Sequence, residues 1–258
     1  MASPQERPLD RQWVSRPVLR GDIEFRQVVF RYPDEDRDAL SGVSFRIRAG
    51  ERVGIIGKVG SGKSTLEKLV LGLYPPAAGE IFVDGVNLAQ IDPAELRRNI
   101  GYIPQDVRLV HGSVYDNITL GSGPVPDERL LQAVQAAGLA PLIGGHADGL
   151  GMPVGEGGGR LSGGQRQSVA VARALVGQGN ILLFDEPTSA MDGPLEAHVT
   201  AALAKHAERR TLLLVTHRHS LLTLTDRLIV LDAGRIVADG PRQEVLDALA
   251  SGKVRVAT

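Results

Sequence analysis

The chain has 258 residues, of which 43% are hydrophobic and 23% charged, and its net charge is −1. This composition is typical of a globular protein, and the near-zero net charge argues against a nucleic-acid partner. Because there is no cysteine, disulfide bonds and thiolate metal sites are excluded. No stretch of the sequence reaches the roughly 20 apolar residues of a membrane-spanning helix, so we expect the isolated chain to be soluble.

The first part of the chain predicts a tail followed by an antiparallel β-layer. Residues 1–20 are polar and contain prolines, which indicates a linker or tail. In VSFRIRAGE, residues 43–51, hydrophobic and polar side chains alternate, as in a half-buried antiparallel strand. IEFRQVVFRY before it and GEIFVDG after it have the same character, with Asp84-Gly85 as a turn.

The first motif with specific chemistry is GKVGSGKS, residues 57–64, which fits G-x-x-x-x-G-K-[ST] at every fixed position. Its glycines let backbone N–H groups converge on phosphate oxygens, and the helix that follows presents its positive end. Lys63 is predicted to reach the β- and γ-phosphates, Ser64 to bind Mg²⁺ and Thr65 to contact the α-phosphate. The predicted nucleotide-binding residues of this loop are Gly57, Gly60, Ser61, Gly62, Lys63, Ser64 and Thr65.

The middle and end of the chain predict helices and buried strands. PDERLLQAVQAA, residues 126–137, has helical periodicity and is followed by Gly138, a residue typical of helix C-caps. NILLFDE and TLLLVTH are continuously apolar, which favours a parallel sheet covered on both faces. RLIVLDAGRIVADG predicts a hairpin that turns at Ala233-Gly234, and an amphipathic helix is expected over residues 244–250.

Two adjacent carboxylates follow the apolar run ILLF. We predict that Asp185 binds Mg²⁺ and that Glu186 polarises the attacking water, because the metal keeps one carboxylate ionised while the other stays available. Upstream of them, LSGGQRQSVAVARAL places Ser162 as the N-cap of a helix whose first residues are glycines. Such a helix start can bind an anion, although capping alone would also explain these residues.

The LSGGQ string identifies a resemblance to the ATPase domains of ABC transporters, which extends from about Gly21 to Leu249. The resemblance implies an α/β fold: a RecA-like P-loop NTPase core with a mostly parallel sheet, an N-terminal antiparallel β-subdomain and an inserted α-helical subdomain. It also implies that Tyr32 stacks on adenine, that Gln105 senses Mg²⁺ and the lytic water, and that His217 contacts the γ-phosphate. The implied catalytic residues are then Glu186, His217, Gln105 and Lys63, and the metal ligands are Ser64, Gln105 and Asp185.

The family further implies that two such domains pair head to tail as a homodimer. ATP would lie between Lys63 of one copy and the LSGGQ residues of the other, so that each site is composite. The residues implied to contact the nucleotide in trans are Ser162, Gly163, Gly164, Gln165 and Asp192.

Other stretches resemble the exporter branch of the family. These are GSVYDNI, residues 112–118, and VGEGGGRLSGG, in which Glu156 lies where exporters place a residue near the transmembrane coupling helices. Residues 157–159 are all glycine, whereas the family usually continues with arginine and glycine. Within the exporters, the strings around Gln105 and after His217 look most like the ATPases of bacterial type I protein secretion.

A transport ATPase of this kind implies a transmembrane partner, either on the same polypeptide or as a separate subunit, and a place on the cytoplasmic face of the inner membrane. The alternatives are an ATPase domain of a lipid or drug exporter, and a non-transport ATPase of DNA repair or translation. We predict a linker over residues 1–20, the ATPase domain over 21–250 with its helical insert at about 106–176, and a tail over 251–258.

Overall fold

The computed structural model describes Arg7, residues 12–33 and residues 35–253. Residues 1–6, 8–11, 34 and 254–258, which include parts of both predicted tails, lie outside the described residues. The chain divides into two compact units, the first comprising residues 1–100, 179–181 and 209–258, and the second residues 101–178 and 182–208.

The described strands, in chain order, are β1 (Ile23–Phe30), β2 (Leu40–Ile47), β3 (Arg52–Ile56), β4 (Ala78–Val83), β5 (Val86–Asn87), β6 (Ile100–Ile103), β7 (Ile181–Asp185), β8 (Thr211–Val215), β9 (Arg227–Asp232) and β10 (Arg235–Pro241). The α-helices are α1 (Lys63–Val70), α2 (Pro93–Arg98), α3 (Val114–Thr119), α4 (Asp127–Ala136), α5 (Ala140–Gly144), α6 (Gly163–Val176), α7 (Gly193–His206), α8 (His219–Leu222) and α9 (Arg242–Ala250). Among them, no helix is both long and apolar enough to cross a membrane.

The first unit contains an antiparallel sheet in the order β2-β1-β4-β5. Its buried side chains follow the predicted alternation: Phe25 of β1 pairs with Phe45 of β2, and their rings stack at 4.6 Å. The register shifts between Phe25 and Val28, where Gln27 adopts φ 49°. This bulge restores the inward phase of the strand, so that Val28 is buried like Phe25. The predicted β-layer and its turn at Asp84-Gly85 are confirmed.

The first unit also contains the strand order β10-β9-β3-β8. β3 runs parallel to both β8 and β9, while β10 returns antiparallel to β9 through the predicted turn at Ala233-Gly234. Every residue of β8 is buried, as its uninterrupted apolar sequence predicts. Because β3 and β8 are parallel neighbours, their carboxyl ends meet at one edge, and this edge carries the phosphate loop.

In the second unit, β7 is the neighbour of β6 and is buried along its whole length. Helices α3, α4, α6 and α7 belong to the same unit. The predicted helix over residues 126–137 is confirmed as α4, and Gly138 follows it with φ 71°. α7, which the sequence analysis did not predict, begins at Gly193 with a proline in its first turn.

Part of the predicted linker packs on the first unit. Val14 forms a parallel bridge with Ile91. Leu19 is completely buried; its N–H donates to Oδ1 of Asn99 (3.0 Å), and its carbonyl accepts from Nδ2 of Asn180 (2.7 Å). Residues 14–19 are therefore held by main-chain hydrogen bonds and by one core side chain. The boundary between linker and ATPase domain at residue 20 stays a prediction.

Candidate functional site

The phosphate loop lies in the first unit between β3 and α1, and two of its glycines have a steric reason. Gly57 has φ 154°, and a Cβ atom there would lie 2.1 Å from the carbonyl oxygen of Leu231. Gly62 has φ 102°, and its Cβ would lie 2.6 Å from the carbonyl oxygen of Ala39. Only glycine fits both the backbone conformation and the close approach at these two positions. The loop is therefore held tightly against β9 and the start of β2.

Lys63, the first residue of α1, folds back across the loop. Its Nζ donates to the carbonyl oxygens of Gly57 (2.8 Å) and Lys58 (2.6 Å). Ser61 is buried, and its carbonyl oxygen accepts from the N–H of Gly234 (3.1 Å). Two carbonyl oxygens of the loop therefore stabilise the charge of the Lys63 ammonium group.

Tyr32 follows β1 and lies beside α1. Its ring makes edge contacts with Phe30 (centroids 4.9 Å apart) and Tyr74 (5.5 Å), and Nζ of Lys68 lies 5.2 Å from its ring centroid. Its hydroxyl group lies near the hydroxyl of Thr65, which is buried on α1. Ser64 is half-buried at the start of the same helix. The first unit therefore brings the predicted base-stacking residue to the predicted phosphate-binding helix.

His217 follows β8 and is exposed. Ile55 of β3 pairs with Val215 of β8 in parallel register. Gly57 and His217 each lie two residues beyond this pair, so both emerge at the same edge of the sheet. Parallel pairing thereby places the predicted γ-phosphate contact beside the phosphate loop, as expected for a site at the carboxyl ends of parallel strands.

The second unit contains the predicted carboxylates. Asp185 ends β7 and is buried, and Glu186 follows it with φ 46°, a left-handed backbone conformation that is unusual for a residue with a side chain. Gln105 is exposed two residues after β6. It lines a groove of about 550 Å³ together with Gly163, Gln167 and Ser189. This groove lies entirely within the second unit.

The LSGGQ residues form the start of α6 as predicted. Ser162 is the N-cap: its hydroxyl accepts from the N–H of Gln165 (3.2 Å), and its own N–H donates to Oε1 of Gln165 (2.8 Å). This reciprocal pair is a capping box. Asp192 similarly caps α7 by accepting from the N–H of Leu195 (3.0 Å). Ser162, Gly163 and Asp192 are exposed on the surface of the unit.

The stretches that resemble exporters also have defined structure. GSVYDNI forms α3 with its own capping box between Ser113 and Asp116. The glycine run after Glu156 forms a 3-10 helix over Glu156–Gly158. Gly157 has φ 57° and Gly158 has φ 84°, left-handed backbone conformations that favour glycine, which accounts for two of the three glycines at residues 157–159.

Three residues at these sites were not singled out from the sequence: Lys68, Tyr74 and Gln167. Lys68 has helical spacing from Ser64 and Thr65, so its position near the site could have been found from the periodicity of α1. Tyr74 follows α1, and no local pattern marks it. Gln167 lies three residues after Gly164, which puts both on one face of α6.

The chain is similar to known proteins in sequence and in fold. The family described as "ABC transporter" matches residues 40–189. The chain is 42% identical over 233 residues to the leukotoxin export ATP-binding protein LtxB of Aggregatibacter actinomycetemcomitans, and 43% identical over 233 residues to the leukotoxin translocation ATP-binding protein LktB of Mannheimia haemolytica. Both alignments cover 90% of this chain but only 33% of the relative, so the chain spans a third of the length of these proteins.

A solved structure, "Structure of a bacterial Atm1-family ABC exporter with ATP bound", superposes on 96% of this chain with a TM-score of 0.84 and 34% sequence identity, and 46% of that chain is covered. The family match spans more than half of the chain and includes the phosphate loop, the carboxylates after β7 and the LSGGQ helix start. The chain therefore belongs to the ABC transporter family and is an ATP-binding ATPase domain of that family.

Proposed function

We propose that this domain binds and hydrolyses Mg-ATP to drive an exporter of the type I protein secretion class. We choose protein as the class of exported cargo because the chain is 42–43% identical, over 90% of its length, to two proteins named for leukotoxin export and translocation. In this proposal the domain works at the cytoplasmic face of the inner membrane with a transmembrane partner.

ATP binding is assigned to residues of the first unit. The N–H groups of the phosphate loop and the ammonium of Lys63 bind the β- and γ-phosphates, and the loop carbonyls of Gly57 and Lys58 lose their hydrogen bonds to Lys63. Thr65 contacts the α-phosphate. Tyr32 stacks on adenine, supported by the aromatic contacts that already fix its ring.

The proposed Mg²⁺ ligands are all oxygen donors: the hydroxyl of Ser64, the side-chain carbonyl of Gln105 and the carboxylate of Asp185. Within the described part of the chain, no cluster of three or more histidine or carboxylate side chains could hold a metal alone. This fits Mg²⁺, which proteins usually bind through one or two carboxylates together with substrate phosphates and water. When bound, the ion neutralises charge that develops on the phosphate oxygens.

Hydrolysis is assigned to Glu186 and His217. Glu186 accepts a hydrogen bond, and then a proton, from a water whose oxygen attacks the γ-phosphorus. The bond between that phosphorus and the β–γ bridging oxygen breaks, which yields ADP and inorganic phosphate. Gln105 orients the water, and His217 donates to a γ-phosphate oxygen. Lys63 stabilises the negative charge on the transferred group.

The second half of each site is proposed to come from another copy of the chain. Ser162, Gly163, Gly164 and Gln165 present a helix start to the γ-phosphate of the opposite copy, and Asp192 contacts the nucleotide there. The exposure of Ser162, Gly163 and Asp192 supports this, because a contact in trans requires surface residues. ATP then holds two copies together, and hydrolysis releases them.

The first test is the mass in solution and the turnover of Glu186→Gln, with Glu128→Gln as a control that removes an exposed carboxylate of α4. We expect Glu186→Gln to lose about 100-fold or more in kcat and to form a dimer only with Mg-ATP. Glu128→Gln should match the wild type. Wild-type turnover in the Glu186→Gln variant would exclude the assigned base. Because a membrane partner can supply the local concentration that pairing needs, a monomer at saturating ATP would exclude the composite site only together with wild-type ATP hydrolysis that rises linearly with protein concentration.

Protein secretion is tested with a chimera. This chain replaces the corresponding third of the leukotoxin translocation protein LktB, and secreted leukotoxin is measured together with ATP hydrolysis. We expect secretion with the wild-type domain and none with Glu186→Gln. A chimera that hydrolyses ATP in membranes but secretes no leukotoxin would contradict the type I assignment while leaving the ATPase assignment intact.

A further inference from the structure

Gln167 is a buried amide whose hydrogen bonds all go to the segment after β7. It is 2% exposed. Its Nε2 donates to the carbonyl oxygen of Glu186 (2.9 Å) and to the hydroxyl of Ser189 (3.1 Å), and its Oε1 accepts from the N–H of Ala190 (2.8 Å). One side chain of α6 therefore spans the whole turn from Glu186 to Ala190.

This turn begins with a residue in a left-handed backbone conformation. Glu186 has φ 46°, a conformation that costs free energy for any residue with a Cβ and persists only where its surroundings fix it. Its carbonyl oxygen accepts from the N–H of Ser189 (3.1 Å) as well as from Gln167. Because the direction of the carboxylate depends on this backbone, the two donors that hold the carbonyl also set where the side chain points.

A second contact lies three residues earlier on the same face of α6. A Cβ on Gly164 would lie 2.9 Å from the carbonyl oxygen of Ala190, so the helix and the turn approach each other at backbone distance. Gly164 thus allows α6 to approach the segment over residues 186–190, and the hydrogen bonds of Gln167 hold the two together. All of these residues belong to the second unit.

We propose that Gln167 is a positioning residue for ATP hydrolysis: it holds the backbone of Glu186 so that the carboxylate is aimed at the attacking water. This inference rests on the proposed function, in which Glu186 is the base. The hydrogen bonds of Gln167 go to residues 186–190, so it would act on the water through Glu186. The side chain of Gln167 also ties the backbone of Glu186 to α6, the helix whose first residues are proposed to face the ATP of the opposite copy.

A purely structural role for Gln167 makes a different prediction. A buried amide with three hydrogen bonds stabilises any fold, and its loss would lower stability without a selective effect on kcat. Asn99 provides the matched control. It is 6% exposed, and its side chain accepts from the N–H of Leu19 (3.0 Å) and donates to the carbonyls of Pro17 (3.1 Å) and Glu95 (2.9 Å), all in the first unit.

The experiment compares Gln167→Met with Asn99→Leu; both variants replace a buried amide by an apolar side chain of similar size. kcat, KM and the thermal midpoint are measured for each. We expect both midpoints to fall, kcat of Gln167→Met to fall by about 10- to 100-fold with KM within about twofold of the wild type, and kcat of Asn99→Leu to stay within about twofold. A folded Gln167→Met with wild-type kcat would overturn the proposal.

Gln167→Glu serves where the methionine variant does not fold. Its carboxylate still accepts from the N–H of Ala190, and the Ser189 hydroxyl, which accepts from Gln167 in the wild type, can turn to donate to it. It has no donor for the Glu186 carbonyl, so kcat should fall with KM retained. Wild-type kcat in this variant also overturns the proposal. The proposed function is tested separately. It would be wrong if Glu186→Gln hydrolysed ATP as fast as the wild type, whatever the result for the Gln167 variants.

Discussion

The hydroxyl of Tyr32 lies 3.1 Å from the hydroxyl of Thr65. This contact links the residue proposed to stack on adenine with the residue proposed to contact the α-phosphate. Nζ of Lys68, one turn further along α1, lies 3.4 Å from the same tyrosine hydroxyl. Phe30 and Tyr74 contact the ring from the side at interplanar angles of 83° and 84°. The ring is therefore fixed by contacts that do not depend on nucleotide.

The first prediction separates the ring of Tyr32 from its hydroxyl. Tyr32→Ala removes the stacking surface, which is worth about 1–3 kcal/mol for a base, so the Kd for ATP should rise by about 5- to 150-fold. Tyr32→Phe keeps the ring and loses a hydrogen bond that is formed without nucleotide, so it should lower the free energy of unfolding by about 1 kcal/mol and leave the Kd for ATP within about twofold of the wild type. Calorimetric titration with ATP measures both Kd values.

Inorganic tripolyphosphate, which has no base, is the control ligand for these variants. Its Kd should be the same for Tyr32→Ala and for the wild type. If Tyr32→Ala weakened the binding of tripolyphosphate as much as the binding of ATP, the variant would have damaged the phosphate loop, and the proposed stacking of Tyr32 on adenine would be wrong.

The second prediction concerns the phosphate loop as a folded element. Gly57→Ala places a Cβ 2.1 Å from the carbonyl oxygen of Leu231 and should lower the free energy of unfolding by about 3 kcal/mol or more. At Gly60, φ is 80° and no described atom lies within 4 Å of an added Cβ. Gly60→Ala should therefore show only the cost of the left-handed backbone, about 1 kcal/mol.

Denaturant unfolding of the two glycine variants in the absence of nucleotide measures this difference. Equal losses of stability would mean that the backbone conformation alone, and not the approach of β9, explains the glycine at residue 57. The comparison is informative because both glycines match the same sequence motif, which gives no indication of their different surroundings.

Much of the fold was predictable because it depends on local patterns. Alternation in β2, the unbroken apolar runs of β7 and β8, and the capping serine of α6 each determine their element within a few residues. α7 was not predicted from its sequence. The helix begins with Gly193 and a proline. Both residue types are common in turns, although proline is also favoured in the first turn of a helix.

The candidate site was predictable where a motif encodes the chemistry and unpredictable where a long-range contact does. Lys63 and Glu186 are marked by their neighbours in the sequence. Gln167 is 19 residues from Glu186 along the chain, and only the packing of α6 on the turn after β7 brings the two together. The capping role of Gln165, in contrast, could have been found from the sequence, because Ser162-x-x-Gln165 has the spacing of a capping box.

The third prediction is a pH dependence at the start of α3. The carboxylate of Asp116 accepts from the backbone N–H of Ser113 (2.8 Å) and from its hydroxyl (2.7 Å). These two donors, the backbone one first, hold the pKa of Asp116 below its ordinary value of 3.8. The folded state therefore prefers the ionised form, so the stabilisation is complete above about pH 4 and is lost as the pH falls through the folded-state pKa.

Asp116→Asn lacks this ionisation, so its thermal midpoint should lie below that of the wild type at about pH 7, and the two midpoints should converge as the pH falls below about 4. Ser113→Ala keeps the backbone N–H and removes the hydroxyl that accepts from the N–H of Asp116 (3.1 Å), a bond that does not depend on the charge of the carboxylate, so its midpoint should stay below that of the wild type at low pH. If the difference in midpoint between Asp116→Asn and the wild type stayed constant from about pH 7 to below about pH 4, ionisation of Asp116 would not stabilise the folded state.

The fourth prediction tests whether the segment before residue 21 contributes to the stability of the first unit. Leu19 is completely buried, whereas its neighbour Val18 is 71% exposed. Leu19→Ala should lower the free energy of unfolding by about 2–5 kcal/mol, because it empties a packed position beside the hydrogen bonds that Leu19 donates to Asn99 and accepts from Asn180.

Val18→Ala is the matched control in the same segment and should change the free energy of unfolding by no more than about 0.5 kcal/mol. Urea unfolding of both variants measures the difference. If Leu19→Ala were as stable as Val18→Ala, residues 14–20 would add nothing to the core, as a linker over residues 1–20 would require. A large loss would instead move the start of the folded domain to residue 19 or earlier, since the side chain of Leu19 would belong to its core.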